Sequence, residues 1–495
     1  MIKAMLISSI FINLGMVLGR LSGFFREAVL ASNYGVSAEA DIIVLLLSIP
    51  DLLVNILVGG GLAAALIPEF SNNKALSRIL VFQALLLFTL MFGCIALGLV
   101  IKWELLLSIL VPGFTDLQIQ KSSAGMLLVL WLLPLTVASG VVTAYLHSYN
   151  RFIAASMGTL IINLFIIAGL YFAVYYEGSL TILGWAVLIG GTVRFLVQFL
   201  SASHISGFPQ ITFNPWLLNK DLVIRYMQVA SAGSLLLCYP VIIRAFVSGN
   251  GDGSVSLLSY SLKLVALPVA IGVTFLSVVI FPRMARAKQT DIELFFNLAI
   301  WGLRLTVFFS LITTIAIKNL APEIVDLVFG YGAMNIEAIH TVAKLLNIGV
   351  LGLLFMAVST FTLSIYSACK DTKTPLIINF FSIIVLIIML KLYGNSSIEM
   401  AMYCLVFAYG VSASLNILIL ICKFKKIRFG LASKQYLIPI LIAPIILSQS
   451  IAVILPLYSN VLIRMGIVFL FTCICFIGVV LVVPNVRNRI LKGKV

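Results

Sequence analysis

Long apolar runs recur from the first residues of this chain to the last, and they restrict its possible folds more than any other feature. A hydrocarbon layer about 30 Å thick requires roughly 20 apolar residues per helix. Of the 495 residues 62% are hydrophobic and 10% are charged, whereas soluble domains are about half apolar and a quarter charged. A membrane β-barrel would instead show alternating segments of about 10 residues. The sequence therefore predicts an all-α protein that crosses a membrane many times.

We count 14 apolar runs and predict that each spans the membrane as a helix. Their limits are 5–31, 39–70, 78–101, 124–147, 153–175, 181–204, 222–248, 257–282, 294–317, 339–368, 375–393, 399–422, 436–456 and 461–484. The first run is similar to a signal peptide, but it lacks a clear cleavage site and contains Arg20, so we assign it to the first helix. The histidines and cysteines have neither the spacing of a metal site nor that of a disulfide framework.

The basic residues outside these runs are distributed unequally between the two sides of the membrane. With the N-terminus inside, the inner connections and the two chain ends hold 20 lysines and arginines, and the outer loops hold four. Cytoplasmic loops carry this excess in membrane proteins, so both termini are predicted to face the cytoplasm. The net charge of +15 thus reflects topology, and because no aromatic stacking platform accompanies it, we expect no nucleic-acid partner.

Charged side chains inside the apolar runs need a specific explanation, because a central arginine costs a membrane helix about 2.5–3.5 kcal/mol. Arg20 and Arg26 would project about 240° apart on a regular helix. They share a face only if the first helix is broken, and Gly19 and Gly23 offer a place for a break beside a watery cavity. The interior groups that we expect around this cavity are the bases Arg20, Arg26, Arg244 and Lys263 and the acids Glu27, Asp41 and Asp51.

The bases outnumber the acids in this set, and their excess predicts an anionic ligand. Guanidinium groups bind phosphate oxygens through paired donors, and lysine adds a point charge. The predicted phosphate- or pyrophosphate-binding residues are Arg20, Arg26, Lys263 and Arg244. The alternative is a set of structural ion pairs, in which Glu27 pairs with an arginine of the first helix and Asp41 offers a second acid. Arg194 is instead expected to extend its charged head to the membrane interface.

Three consecutive glycines, Gly59, Gly60 and Gly61, lie within the second run. Each weakens a helix by about 1 kcal/mol relative to alanine. The stretch is therefore either a bending point for alternating access or a place where small residues admit a neighbouring helix closely. Together with Gly19 and Gly23, these glycines are the predicted hinge positions.

A weak internal repeat divides the chain. The segments "TAYLHSYNRFIAAS" and "TLSIYSACKDTKTP" occupy corresponding places 219 residues apart. Transporters are commonly built from such repeats, with the substrate site between the halves. The sequence thus predicts two six-helix lobes related by pseudo-two-fold symmetry, followed by two further helices. The predicted domains are a first lobe at 1–204, an interfacial linker at 205–221, a second lobe at 222–422, and the last two helices with a cytoplasmic tail at 423–495.

Several segments carry a specific resemblance to a known family. They are "GRLSGFFREAVLASNYGVSAEADIIVLLLSIPDLLVNILVGGGLAAALIPEF" from residue 19, "PGF" from 112, "YNRFIAAS" from 149, "GSVSLLSYSLKLVALPVAIGVTFLSVVIFPRMARA" from 253, "FGYGAMN" from 329 and "YSACKDTKTP" from 366. In order and content they resemble the MurJ (MviN) family of lipid II flippases, within the multidrug/oligosaccharidyl-lipid/polysaccharide exporter superfamily. The resemblance covers about the first 12 helices.

This resemblance implies 14 helices in two lobes around a central cationic cavity. It implies a transporter, not an enzyme, which moves a polyprenyl-pyrophosphate-linked sugar to the outer leaflet of the bacterial cytoplasmic (inner) membrane. The last two helices would form a groove for the lipid tail. Family arginines of helix 1 fall on Arg20 and Arg26, and an acid of helix 2 falls on Asp41.

The chain departs from the family pattern at three cavity positions. A family arginine of helix 2 falls on Val54, with Asn55 beside it as a polar cavity residue. The arginine of helix 8 falls on Lys263, and an acid of helix 7 falls on Arg244. These changes leave open whether the substrate is lipid II or another undecaprenyl-pyrophosphate oligosaccharide, such as an exopolysaccharide unit.

Two other functions remain open at this point. A cation-coupled drug antiporter of the same superfamily would need embedded acids and an aromatic cavity, against which the basic excess argues. The loss of charge at Val54 is compatible with a membrane scaffold that transports nothing. An enzyme acting on polyprenyl lipids is disfavoured, because no His, Asp and Ser constellation lies at a membrane edge.

The sequence also bears on the energy source and the partners. It contains no G-x-x-x-x-G-K-[ST] motif, so transport would draw on the membrane potential, a monovalent ion gradient or consumption of the product. We expect no cofactor and no metal. The expected partners are the glycolipid and membrane lipids, with the protein acting as a monomer, alone or beside cell-envelope synthesis proteins.

Overall fold

The computed structural model describes most of the chain in helical form. The described residues are 2–53, 66–67, 69–71, 76–149, 151–176, 180–206, 209–213, 216–218, 235, 238–394, 396–424, 426–427, 430, 442, 444–451, 454–455, 460–461, 463–468 and 470–472. No β-strand occurs among them. The predicted positions Val54, Asn55, Gly59, Gly60 and Gly61 lie outside the described residues.

Where the described ranges are continuous, the helices follow one another with short connections. They are α1 Ile2–Tyr34, α2 Ala38–Leu53, α3 Ser77–Ile101, α4 Trp103–Leu110, α5 Asp116–Leu130, α6 Leu132–Ser148, α7 Ile153–Ser156, α8 Gly158–Tyr175, α9 Leu180–Ser206, α10 Cys238–Val247, α11 Ser254–Pro268, α12 Thr274–Thr290, α13 Ile292–Phe329, α14 Ile336–Gly349, α15 Leu353–Ala368, α16 Lys373–Met389 and α17 Ile398–Lys423. A π-helical turn, Val269–Val273, joins α11 to α12, and Leu390–Gly394 forms another after α16.

Nine helical segments of the described chain are long and apolar enough to cross a membrane. Eight of them begin within three residues of a predicted limit, including Ile153–Tyr175, Lys373–Gly394 and Ile398–Lys423. Nine such helices, with no strand among the described residues, confirm the prediction of an all-α polytopic membrane protein.

Helix ends differ from the prediction where capping or a kink decides them. The fourth run begins at Asp116 because Thr115 forms a capping box with Gln118, which satisfies two backbone donors. α13 continues to Phe329 through non-helical backbone at Leu320, two residues before Pro322. A proline removes a helical hydrogen bond and kinks the chain, so the helix bends there instead of ending at 317.

The chain forms two compact units. The first contains Met1–Ser259 and Tyr331–Asn335, and the second contains Tyr260–Gly330 and Ile336–Val495. The division falls at Ser259 instead of at the predicted linker, so α10 and the start of α11 belong to the first unit. Hydrogen bonds hold them there: the Gly113 amide donates to Ser248 Oγ at 3.0 Å, and Gln118 Nε2 donates to Asp252 Oδ1 at 3.0 Å.

The described part of the predicted linker lies against α3. Gln83 Nε2 donates to the carbonyl of Thr212 at 3.1 Å, and the amide of Leu217 donates to Gln83 Oε1 at 2.8 Å. The rings of Phe82 and Phe213 meet edge to face at 5.5 Å. One buried glutamine side chain thus satisfies two backbone groups of this irregular segment and fastens it to α3.

Candidate functional site

The first helix carries most of the predicted site, and it is continuous through Gly19 and Gly23. The predicted break is therefore wrong. Ser22 Oγ donates to the carbonyl of Gly19 at 2.9 Å without opening the helix. The two glycines admit α8: an added Cβ would lie 3.2 Å from Thr159 Cβ at Gly19 and 3.3 Å from Asn163 Nδ2 at Gly23. Their role as a hinge during transport stays a prediction.

Arg26 is the centre of a buried charged cluster in the first unit. Its side chain is 1% exposed, and its Nη2 donates to Glu27 Oε1 at 2.7 Å and to Asp51 Oδ2 at 2.9 Å. Its Nη1 donates to Asp51 Oδ1 at 3.2 Å and to Asn163 Oδ1 at 3.2 Å. The contact with Asp51 is thus bidentate, the strongest geometry for an arginine and a carboxylate. The predicted pairing of Glu27 with an arginine is confirmed.

These contacts bear on the role predicted for Arg26. A guanidinium has four terminal N–H groups, and in this structure all four point to protein acceptors. The remaining nitrogen, Nε, is buried without a partner. In this conformation the terminal donors of Arg26 are therefore directed to protein acceptors, including two carboxylates. Direct binding of the pyrophosphate by Arg26 stays a prediction.

Asn163 is the member of the cluster that sequence reasoning missed. It is buried on α8, its Oδ1 accepts from Arg26, and its Nδ2 donates to Ser22 Oγ at 2.9 Å. An asparagine within an otherwise apolar run, "GTLIINLFIIAG", is the signal that marks it. Because it bonds to both charged and neutral groups of α1, Asn163 fixes the helix against α8.

Arg20 lies on the same helix as Arg26 but differs from it in burial and in hydrogen bonding. It is partly buried, and no described residue forms a hydrogen bond or an ion pair with it. Six residues along a regular helix place it about 9 Å from Arg26 along the axis and on another face. Arg20 thus keeps its donors available, as a ligand-binding arginine must.

Arg244 on α10 is the second available arginine of the first unit. Its Nε donates to Ser259 Oγ at 3.0 Å, and it interacts electrostatically with Glu27, Asp51 and Arg26. It lines a small cleft of about 20 Å³ together with Ser48 and apolar residues. The terminal nitrogens of Arg244 form no hydrogen bond with the described residues, so these donors are available to an anion.

The remaining base, Lys263, belongs to the second unit. It lies on α11 one turn beyond Ser259 and is partly buried. The structure therefore brings together Arg26 and Arg244 with Glu27 and Asp51 within the first unit, and Arg20 lies outside this cluster. Asp51 is the most open acid of this group, with 37% of its side chain exposed.

Asp41 is not part of the charged cluster. Its side chain accepts hydrogen bonds from the backbone amides of Gly253, at 2.8 Å, and Ser256, at 2.7 Å. It thereby caps the N-terminus of α11, where the helix dipole favours a negative charge. The predicted role of Asp41 as an arginine partner in the cavity is wrong, because both oxygens of its carboxylate accept hydrogen bonds from these backbone amides instead.

We expect Asp41→Ala to lower the free energy of unfolding by about 1–2 kcal/mol, since it leaves two buried amides without acceptors. Asp41→Asn retains one acceptor oxygen and should recover part of this loss. Thermal unfolding of the detergent-solubilised protein measures both. The matched control is Glu39→Ala, which removes an exposed ion pair with Lys121 and should change stability by less than about 1 kcal/mol. Equal stability of Asp41→Ala and wild type would contradict the capping role.

The fold and the site together define a polytopic α-helical membrane transporter, in which a charged cluster is built between α1, α2, α8 and α10. A comparison with protein families matches residues 30–477 to the family described as lipid II flippase MurJ. The chain therefore belongs to the lipid II flippase MurJ family.

Individual relatives and solved structures agree with this assignment. The chain is 26% identical over 465 residues to a probable lipid II flippase MurJ of Borreliella burgdorferi, which covers 92% of this chain and 88% of the relative. It is 26% identical over 389 residues to the corresponding protein of Rhizobium tropici, covering 73% and 70%.

Among solved structures, lipid II flippase MurJ in an inward closed conformation matches with a TM-score of 0.80 at 18% identity, over 97% of this chain and 99% of that chain. An inward-facing multidrug resistance MATE family transporter of the MOP superfamily matches with a TM-score of 0.68 at 13% identity, over 84% and 98%. These two likenesses show the fold.

Proposed function

We propose that this protein moves lipid II, the polyprenyl-pyrophosphate-linked peptidoglycan precursor, from the inner to the outer leaflet of the bacterial cytoplasmic membrane. The family match over residues 30–477 is the observation that carries this proposal. The protein would act as a transporter by alternating access, without a cofactor, as a monomer whose termini face the cytoplasm.

In the proposed mechanism, Arg20 and Arg244 supply the first donors to the pyrophosphate. Both lack carboxylate partners at hydrogen-bond distance among the described residues, and both lie in the unit that contains the charged cluster. Guanidinium groups bind phosphate oxygens through directed, charge-assisted hydrogen bonds. The predicted contribution of Lys263 to pyrophosphate binding stays a prediction, while Arg26 stays bound to Asp51 and Glu27 and fixes the helices of the first unit around the site.

The prenyl tail would remain in the lipid along the last two predicted helices while the sugar crosses with the headgroup. The membrane potential can drive this transport, since it contributes about 2.3 kcal/mol for each charge that crosses a potential of 100 mV. A monovalent ion gradient is the alternative source. Use of the membrane potential requires a net charge that moves with the site, which the basic excess provides.

A second candidate is a flippase for another undecaprenyl-pyrophosphate oligosaccharide. It is favoured by two residues of the sequence: Val54 and Lys263 occupy positions where the family has arginines. A change of substrate class would leave the pyrophosphate contacts in place and alter the contacts to the sugar.

Transport by the purified protein in lipid vesicles distinguishes these candidates. We expect fluorescent lipid II in the inner leaflet to become accessible to an external quencher within minutes, and vesicles without protein to show little exposure. The comparison substrate is a polyprenyl pyrophosphate carrying an unrelated oligosaccharide. Faster movement of the comparison substrate would support the second candidate, and movement of neither lipid would contradict a flippase of either kind.

A further inference from the structure

One arginine of the first unit takes no part in the charged cluster described above. Arg194 lies on α9 and was expected to reach the membrane interface. It is instead 3% exposed, so that expectation is wrong. Its Nε and Nη1 are buried without a hydrogen bond, and its guanidinium forms no ion pair with any described residue.

Gln198 stands beside Arg194, one turn further along α9, on the same side of the helix. It is fully buried, and neither its amide nitrogen nor its amide oxygen has a hydrogen-bond partner among the described residues. Buried polar side chains are nearly always hydrogen-bonded. Two neighbouring side chains that lack partners therefore indicate a shared ligand between them and the facing helices.

On one side this pair meets α8 at Gly158. An added Cβ at Gly158 would lie 2.7 Å from Arg194 Nε and 2.9 Å from Gln198 Nε2. The absence of a side chain at this position thus lets the two polar groups lie directly against α8. Any larger residue would occupy the space beside the guanidinium.

On the other side α6 presents a row of hydroxyl groups. Thr136, Ser139 and Thr143 are buried, and none of their hydroxyls has a hydrogen-bond partner in the part of the chain that the structure describes. Their spacing of three and four residues places them on one face of the helix. Leu132, one turn before Thr136 on this face, packs against Gly191 of α9, so the hydroxyl row faces α9.

The register between these helices aligns the two polar rows. Gly125 lies against Gly184, and Leu132 lies against Gly191, which is the same offset of 59 residues at both contacts. The two segments therefore run in parallel, and the offset places Ser139 level with Gln198. The hydroxyls of α6 and the amide and guanidinium of α9 consequently converge between the same helices.

The chemistry of this cluster selects an anion. It contains one guanidinium, one amide and three hydroxyls, and none of these residues is acidic. A guanidinium stays charged at neutral pH, and a buried charge without a counter-charge is strongly unfavourable. Because the side chains are almost completely buried, the ligand must be small.

We propose that Arg194, Gln198 and the hydroxyls of Thr136, Ser139 and Thr143 bind a small monovalent inorganic anion between α6, α8 and α9. The anion neutralises Arg194 and accepts hydrogen bonds from the side-chain donors. It stabilises the helix packing of the first unit and is separate from the pyrophosphate site.

Chloride is the probe for this site. The full-length protein in nanodiscs is titrated with chloride against gluconate at constant ionic strength, and both thermal unfolding and binding of radioactive chloride are measured. We expect chloride to raise the Tm by a few degrees, since a ligand of the folded state stabilises it. We also expect about one bound ion per chain, as one guanidinium sets the charge of the site.

Arg194→Met should abolish both signals, and Gln198→Leu should weaken binding roughly tenfold. Lys102→Ala is the control, because it removes an exposed base between α3 and α4, away from both proposed sites, and should leave both signals intact. If Arg194→Met does not fold, Ser139→Ala still reports on the site through a lower chloride affinity.

Three outcomes would overturn the proposal. The first is a wild-type protein that binds no chloride and is not stabilised by it, which means that internal water alone fills the site. The second is a chloride effect of the same size in Arg194→Met. The third is stabilisation by phosphatidylglycerol nanodiscs without any response to chloride, which assigns the site to a lipid headgroup.

Discussion

Replacing Arg26 with alanine should lower the free energy of unfolding by about 3–5 kcal/mol, the usual effect of deleting one partner of a buried ion pair. Glu27 is almost completely buried, so it would become an uncompensated charge inside the helix bundle. Asn163 and Asp51 would lose the same partner. We expect little folded protein in the membrane and a clearly lower Tm in what remains.

Two further variants separate the loss of charge balance from the loss of side-chain volume. Arg26→Lys keeps the charge but cannot form the bidentate contact with Asp51, so it should recover only part of the stability. Arg26→Gln combined with Glu27→Gln removes both charges and should be more stable than Arg26→Ala. Thermal unfolding and membrane abundance measure all three. An Arg26→Ala protein with the wild-type Tm would contradict the ion-pair role.

Replacing Arg20 with alanine should have the opposite pattern, with a large loss of transport and little loss of stability. A hydrogen bond to a charged group contributes about 1.5–3 kcal/mol. At about 1.4 kcal/mol for each factor of ten, lipid II movement at limiting substrate should fall roughly 10- to 150-fold. Because no described protein group pairs with Arg20, its removal leaves no partner unsatisfied.

The rate of lipid II exposure in vesicles, normalised to the amount of folded protein, measures this effect. Arg20→Lys should retain part of the activity, since lysine keeps the charge without the paired donors. Lys102→Ala, which alters an exposed residue between α3 and α4, is the control and should transport at the wild-type rate. Normal transport by Arg20→Ala would exclude Arg20 as a substrate ligand and leave the family assignment untouched.

The contrast between these two arginines shows which properties of the site the sequence predicts and which depend on helix packing. Both were recognised as costly residues in an apolar helix, and Glu27 was recognised as a pairing acid. Their separation into one ion-paired and one available arginine depends on the continuity of α1. A regular helix places residues six apart on different faces, and packing of α8 against Gly19 and Gly23 keeps this helix regular.

The partners of the buried polar groups were beyond prediction because they come from distant parts of the chain. Asp51 and Asn163 lie 25 and 137 residues from Arg26, and the amide of Gly253 lies 212 residues from Asp41. A helix-start carboxylate and a cavity carboxylate look alike in a single sequence. Only the packing of α2 on the start of α11 distinguishes them.

The sequence by itself determined the membrane class, the position of most described helices and the presence of interior cations, because apolar length and the cost of buried charge act locally along the chain. The tertiary structure alone decided which cations are neutralised. Among the described residues, Arg26 has carboxylate partners in its neighbour Glu27 and in Asp51 of α2, whereas Arg194 and Arg20 have none. The packing of the helices decides which counter-charges from other parts of the chain come within reach.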